Sequence, residues 1–366
     1  MKRFVVALGI LVLSMVAAAD DKGVRGTPAL TAKEVGEGWL QLFDGESTFG
    51  WKVDGESRVE KGQLILGGKK PTKAFVVAPF GRCIVRFNMS VLGVGVVKQA
   101  AAGGSETIYR ATSDVEGTAY SPLKGGVHSP LVYDIPADTH VVLRHASIQP
   151  TKLTPLFDGK DLTGWKQFVG NPKQEKSKFG VTKEGWLNVK NGPGDLQTTK
   201  TYGDFVLQLE CISNGKHLNS GIFFRCLPGK YQQGYEAQIR NQFTDKPTQK
   251  YTVEDYDPTT NKLLGKRTVE STAVDYGTGA IYRRMSARKG VAKDGTWFAL
   301  TVLARGRHFA TWVDGVPVVD WTDNRPANDN ARQGYRAAPG AISIQGHDPT
   351  TDLSFRAIRI AELTGK

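Results

Sequence analysis

Short apolar runs bounded by turn residues recur along much of this chain, and some of its strand-like segments alternate apolar with polar positions. Residues 204–212, 222–227, 235–240, 297–304, 308–313 and 353–360 are short runs rich in Val, Ile, Phe and Trp. Successive side chains of an extended strand point to opposite faces, so such runs predict strands. Turn pairs separate them: Asn214-Gly215, Pro228-Gly229, Asp294-Gly295, Arg305-Gly306, Asp314-Gly315 and Pro339-Gly340. No segment keeps a helical period beyond two turns. The pattern predicts an all-β chain built of sandwiches.

One phrase occurs twice. Leu42-Phe43-Asp44-Gly45 followed by Gly50-Trp51-Lys52 returns as Leu156-Phe157-Asp158-Gly159 followed by Gly164-Trp165-Lys166, with the same internal spacing. A repeat period of over a hundred residues points to duplicated domains, because solenoid repeats are much shorter. The linker is expected at Gln149-Pro150-Thr151-Lys152, after a last strand at 141–148 that parallels 353–360. The first domain is then 37–148 and the second 153–364. The first is a shortened related copy, and its interior, 100–121, is rich in Gly, Ala and Ser with little periodicity.

The N-terminus reads as an export signal over residues 1–19. Lys2 and Arg3 supply the charged end, 4–16 an apolar core, and Ala17-Ala18-Ala19 a small-residue cleavage site before Asp20. The expected location is periplasmic or secreted, with no integral membrane segment after signal removal. The formal charge of +12 falls to +10 without Lys2 and Arg3. The densest basic run, Arg283-Arg284-Met285-Ser286-Ala287-Arg288-Lys289, lacks interleaved aromatics and reads as a solvated loop, so no nucleic-acid partner is expected. Three cysteines permit at most one intramolecular bridge. Cys211 and Cys226 lie near the ends of two strands and an oxidising compartment would permit their pairing, but buried free thiols are the favoured reading.

Candidate chemistry concentrates in the second half. In Tyr235-Glu236-Ala237-Gln238-Ile239-Arg240, alternation puts Glu236, Gln238 and Arg240 on one face. A carboxylate and an amide can accept from and donate to sugar hydroxyls, and an arginine can orient the acid or hold a developing oxyanion. Asn219-Ser220-Gly221-Ile222-Phe223-Phe224-Arg225 precedes it, with Arg225 on the face of Asn219 and Phe223. Near the end, Ser343, Gln345 and His347 alternate with Ile342, Ile344 and Gly346. If these polar faces line one concave surface, His347 is a possible acid or base. A solvated outer face, with His347 beside a surface loop, is the other reading, and alternation alone leaves both open. Tyr231, Tyr235, Tyr282, Trp297 and Trp312 could stack on sugar rings or fill the core. The acidic cluster Glu254, Asp255 and Asp257 reads as a loop, since Pro258 breaks any calcium-loop pattern. There is no second carboxylate near Glu236 in the local sequence, as conventional glycoside hydrolysis requires. Nucleophile-elbow, phosphate-loop, dinucleotide and zinc-protease motifs are absent.

The ordered set Leu156-Phe157-Asp158-Gly159-Lys160-Asp161-Leu162-Thr163-Gly164-Trp165, Tyr202-Gly203-Asp204-Phe205, Asn219-Ser220-Gly221-Ile222-Phe223, Tyr235-Glu236-Ala237-Gln238-Ile239, Thr278-Gly279-Ala280-Ile281-Tyr282 and Phe355-Arg356-Ala357-Ile358-Arg359-Ile360 resembles the 3-keto-disaccharide hydrolase family (DUF1080). The resemblance covers essentially all of 153–364. It implies a concanavalin A-like jelly roll and cleavage of oligosaccharides or glycosides oxidised at C3. A C3 ketone acidifies the C2 proton, so one base can start an elimination that expels the C1 substituent, and water can add back. That chemistry needs no conventional carboxylate pair. On this reading Glu236 is base or acid, with His347 and Arg225 as further catalytic candidates and Arg240 as an alternative oxyanion partner. Asn219, Gln238, Arg240, Tyr282 and Gln345 are the expected sugar contacts. No cofactor is implied; a divalent metal could replace the arginine, but no ligand spacing demands one. The first domain matches only the opening and closing of the pattern, so it is expected to be non-catalytic, with packing, carbohydrate binding and dimerisation open to it. The rival readings are a non-catalytic, lectin-like carbohydrate-binding module of the cell envelope and a structural surface protein.

Overall fold

The computed structural model describes residues 29–101, 106–121, 129–257, 260 and 262–363; the expected export signal lies outside them. Strands dominate, as the alternation predicts. In the second half they form two antiparallel sheets facing one another across an apolar core. One sheet runs Lys178–Val181, Leu187–Lys190, Asp352–Glu362, Phe205–Ser213, Phe298–Arg305, His308–Val313, Val316–Thr322, with Thr154–Pro155 paired to Asp352–Glu362. The other runs Trp165–Gln167, Gly194–Thr198, Ala341–Gly346, Ser220–Cys226, Tyr235–Ile239. This is a jelly-roll sandwich. The Asp314-Gly315 pair turns the hairpin between His308–Val313 and Val316–Thr322, both residues with positive φ (48° and 75°), the backbone a tight two-residue turn demands.

The first half is one continuous nine-stranded sheet. Cys83–Ala101 is the strand that joins its two layers. Its first part pairs with Thr139–Pro150, its last part with Leu131–Ile135, and its register breaks between Met89 and Val96. Around it the strand order repeats the second domain. Ser57–Glu60, Gln63–Gly68 and Thr139–Pro150 stand where Lys178–Val181, Leu187–Lys190 and Asp352–Glu362 stand, and Trp51–Asp54, Thr72–Val76 and Leu131–Ile135 repeat Trp165–Gln167, Gly194–Thr198 and Ala341–Gly346. One bent strand thus replaces the pair Phe205–Ser213 and Ser220–Cys226. The segment expected to lack periodicity contains a strand, Glu106–Ser121, paired along Cys83–Ala101.

The repeated phrase does the same work twice. Trp51 Nε1 donates to the Leu42 carbonyl at 2.7 Å, and Trp165 Nε1 to the Leu156 carbonyl at 2.9 Å. Asp44 Oδ1 accepts from the Glu46 amide and Asp158 Oδ1 from the Lys160 amide, closing the turn in each copy. The motif is a fold-opening device.

The two domains share a core. Val206, Leu303, Ala310 and Trp312, on the outer face of the larger second-domain sheet, pack into the first-domain cluster with Phe43, Phe80 and Val85. Trp312 Nε1 donates to the Gln41 carbonyl at 3.0 Å and its ring lies 5.3 Å from Phe80. Arg288 pairs with Asp44, and Lys289 with Glu46 at 2.8 Å. That basic run is therefore partly an inter-domain contact. Cys211 and Cys226 are buried free thiols in opposite sheets, and burial pushes both well above the ordinary thiol range. The acidic cluster, expected in a loop, begins on a hairpin strand: in Gln249–Tyr256, Glu254 pairs with Lys266 and Asp255 with Arg267 across to Leu263–Ser271. Among the described residues no helix is long and apolar enough to cross a membrane.

Candidate active site

Four adjacent strands of the smaller sheet carry the site. Leu196, Ile342, Ile344, Ile222, Ala237 and Ile239 turn into the core. Alternation then places the intervening side chains on the opposite face in two rows. In the first, Gln197 opposes Ser343, Ser343 opposes Phe223, and Phe223 opposes Glu236. In the second, Asp195 opposes Gln345, and Gly221 opposes Gln238.

This polar face is covered. Asp195, Gln197, Ser343, Gln345, Glu236 and Gln238 are between 0% and 6% exposed. Buried polar atoms are normally satisfied, and leaving one unpaired costs about 1–3 kcal/mol. Here Asp195 Oδ1, Ser343 Oγ, Gln345 Oε1 and Gln238 Oε1 have no hydrogen-bond partner. Four unpaired oxygens on one face suit a ligand rich in hydroxyl donors.

Glu236 lies back across Gly221. A Cβ there would stand 2.7 Å from Glu236 Oε1 and 2.9 Å from its Cγ, so the position has room for no side chain. Arg332 Nη2 donates to Glu236 Oε2 at 3.0 Å, and the same guanidinium sits 5.1 Å from the centre of the Phe223 ring. Burial pushes the Glu236 carboxyl up to about 7 against the pull of Arg332, and the charge of Asp195 adds to the rise. Burial likewise lifts Asp195 to about 6, opposed by the Gln232 amide and the nearby Gln197, Ser343 and Arg332 side chains.

Arg332 is held in place by a loop built on charge. Asp323 takes two hydrogen bonds from the Arg325 guanidinium, at 2.8 Å each, and Arg325 Nη2 also donates to the Ala331 and Gly334 carbonyls on either side of Arg332. Over the other end of the face lies the 227–234 turn. Gln197 accepts from the Gly229 amide and donates to the Lys230 carbonyl, and the Gln232 amide donates to Asp195 Oδ2 at 2.9 Å.

Of the side chains expected to act together, Glu236, Gln238 and Gln345 share this face. Asn219 joins them by accepting from Gln238 Nε2 at 2.9 Å. Tyr282 stands beside it, its amide donating to the Glu236 carbonyl and its ring 5.9 Å from the Arg332 guanidinium. Arg240, at the strand's end, is tied to the His217 carbonyl, Gln242 and Asp275. Two expectations fail. Arg225 is fully buried away from Glu236, donating to the Gly203, Gly306 and Arg336 carbonyls and to Asp204, with its guanidinium against the Phe309 ring. His347 lies past the strand end on an exposed turn, paired with Asp348 at 3.2 Å. Tyr235 and Trp312 belong to the core, while Trp297 packs against Trp186 and Arg356. Asp195 escaped sequence reading although Asp195-Leu196-Gln197 alternates; Arg332 lies in a loop with no period to find it. Among the described residues no three His, Cys, Asp or Glu side chains gather to hold a metal ion, and Arg332 is the cation against Glu236.

Residues 152–361 match the model of the 3-keto-alpha-glucoside-1,2-lyase-like domain. The chain belongs to this family. No curated protein matches the sequence. Two solved structures of Parabacteroides distasonis ATCC 8503 proteins, each provisionally assigned as a glycosyl hydrolase, align at 21% and 22% identity. They cover 58% of this chain and 94% and 100% of their own, with TM-scores of 0.42 and 0.41. The carbohydrate-binding module CBM66 from Bacillus subtilis aligns at 14% identity over 53% of this chain and 93% of its own, with a TM-score of 0.33. Within the 3-keto-alpha-glucoside-1,2-lyase-like domain, the polar face described above spans Asp195 to Gln345 and so lies wholly inside the matched residues.

Proposed function

We propose that this protein cleaves the glycosidic bond of 3-keto-disaccharides or 3-keto-glycosides, with Glu236 as its proton donor. The observation that carries the reading is the buried Glu236 carboxyl, poised at about 7 beside Arg332 on a face of unpaired oxygens. Family membership supports the substrate class. Loss of the C2 proton, acidified by the C3 ketone, gives an enolate. Arg332 is the cation placed to stabilise it, the role expected of Arg225. The C1–O bond then breaks, and Glu236 protonates the departing oxygen. Addition of water completes hydrolysis.

Incubation with 3-keto-trehalose and alkyl 3-keto-glucosides, whose leaving groups need a proton, tests this. Glu236→Gln is expected to lower kcat by about 10²–10⁴-fold with Kd changed only a few-fold. Tight binding by the wild type with no cleavage would make the site a sugar-binding one instead, and unchanged turnover in the variant would remove Glu236 from the chemistry. Export to the periplasm or medium belongs to the same proposal and rests on residues 1–19; the mature chain should begin at Asp20 by N-terminal sequencing.

A further inference from the structure

We propose that Asp195 is the base that removes the C2 proton, working opposite Glu236 across the same polar face. The inference rests on the reading of the site as a 3-keto-glycoside cleaving one. Asp195 is fully buried, yet its two oxygens differ. Oδ2 is fixed by the Gln232 amide at 2.9 Å, while Oδ1 makes no hydrogen bond of good geometry and has only the Gln197 and Ser343 side chains near it. The unpaired atom belongs to a set: Gln345, directly opposite on the next strand, and Ser343, on that same strand, each hold an unpaired oxygen as well. A buried carboxylate oxygen so loosely served is expensive to keep unless a ligand completes it. The ligand implied is one that brings hydroxyls and an acidic C–H.

Asp195 and Glu236 stand on strands three positions apart, roughly 14 Å between strand axes, in neighbouring rows of the face, and Glu236 lies back over Gly221 in the row of Asp195. Arg332 is the charge that both carboxyls feel. Burial lifts both carboxyls towards neutrality, Asp195 to about 6 and Glu236 to about 7, so each can exchange a proton near neutral pH. The 227–234 turn, held by Asp195 and Gln197, closes this end of the face.

The step balances. Asp195 Oδ1 takes the C2 proton, and the C–H electron pair becomes the C2=C3 bond of an enolate beside Arg332. As the C3 carbonyl re-forms, a C1=C2 bond forms and the C1–O bond leaves with its pair, protonated by Glu236. Water then adds in the reverse sense. Glu236 takes a proton from the water that joins C1, and Asp195 returns its proton to C2, so both groups regain their starting states.

The two roles separate by proton NMR in D₂O, following exchange at C2 and cleavage of 3-keto-glucosides with an alkyl or a nitrophenyl aglycone. Asp195→Asn is expected to lose exchange and cleavage of both substrates by at least about 10²-fold. Glu236→Gln should keep C2 exchange, lose cleavage of the alkyl glucoside, and recover on the nitrophenyl one, whose leaving group needs no proton. Binding of the unoxidised glucoside reports whether each variant keeps its site. If Asp195→Asn loses that binding, Asp195→Glu decides: restored exchange upholds the base, and exchange still absent overturns it. Exchange at the wild-type rate in Asp195→Asn sinks the assignment alone. A wild type that neither exchanges nor cleaves sinks the parent reading, and the assignment with it.

Discussion

Glu236 is the residue at which folding and chemistry pull apart. Burial lifts its carboxyl from 4.5 to about 7, so the folded protein holds a proton there that the unfolded chain has released. Stability from this group is therefore fully present below about 4.5 and is lost as pH rises through about 7. The shift corresponds to about 3 kcal/mol between those limits. Glu236→Gln should flatten that part of the pH–stability curve, measured by urea unfolding from pH 4 to 8; a slope unchanged in the variant would show that the carboxyl is not buried as described. The same residue explains what was legible. Glu236, Gln238 and Gln345 announce themselves because a period of two survives on their strands. Arg332 does not, because a loop residue reaches the site through the Asp323–Arg325 scaffold, and no local pattern encodes that distance.

Elements fail as guides where the period slips. Ser220–Cys226 breaks register against Ala341–Gly346 between Phe223 and Cys226, and Arg225 there has a φ of 49°. A bulge of this kind re-aims the side chain that follows it. Alternation therefore puts Arg225 beside Phe223, while the chain turns it inward onto three carbonyls and Asp204. Arg225→Met should cost about 3 kcal/mol, through orphaned acceptors at the end of the core, and appear in Tm. If a loss of turnover without any fall in Tm is seen instead, Arg225 acts on substrate. The sandwich was legible at this scale, down to the Asp314-Gly315 turn. The bent Cys83–Ala101 strand was not, since one strand serving both layers keeps the alternation of either.

At the scale of the whole molecule, the first domain covers the back of the second. Its nine strands carry a related fold, but they meet the outer face of the larger second-domain sheet, whereas the polar face with Glu236 belongs to the smaller one. The Leu-Phe-Asp-Gly repeat disclosed the duplication. It could not disclose the docking, because Val206, Leu303, Ala310 and Trp312 occupy the outward phase of strands whose inward phase is equally apolar. Two cores joined through one apolar seam should unfold together, as a single cooperative transition. Trp312 is the test of the seam: 4% exposed, packed on Phe80 and bonded to the Gln41 carbonyl. Trp312→Ala removes an indole from a buried contact at a cost of about 3 to 5 kcal/mol. Calorimetry of the full chain should then resolve two transitions where the wild type gives one, while turnover of a small 3-keto-glucoside stays near the wild-type rate. A variant that still melts in one step at the wild-type temperature would mean that the domains are coupled elsewhere, through the Arg288–Asp44 and Lys289–Glu46 pairs.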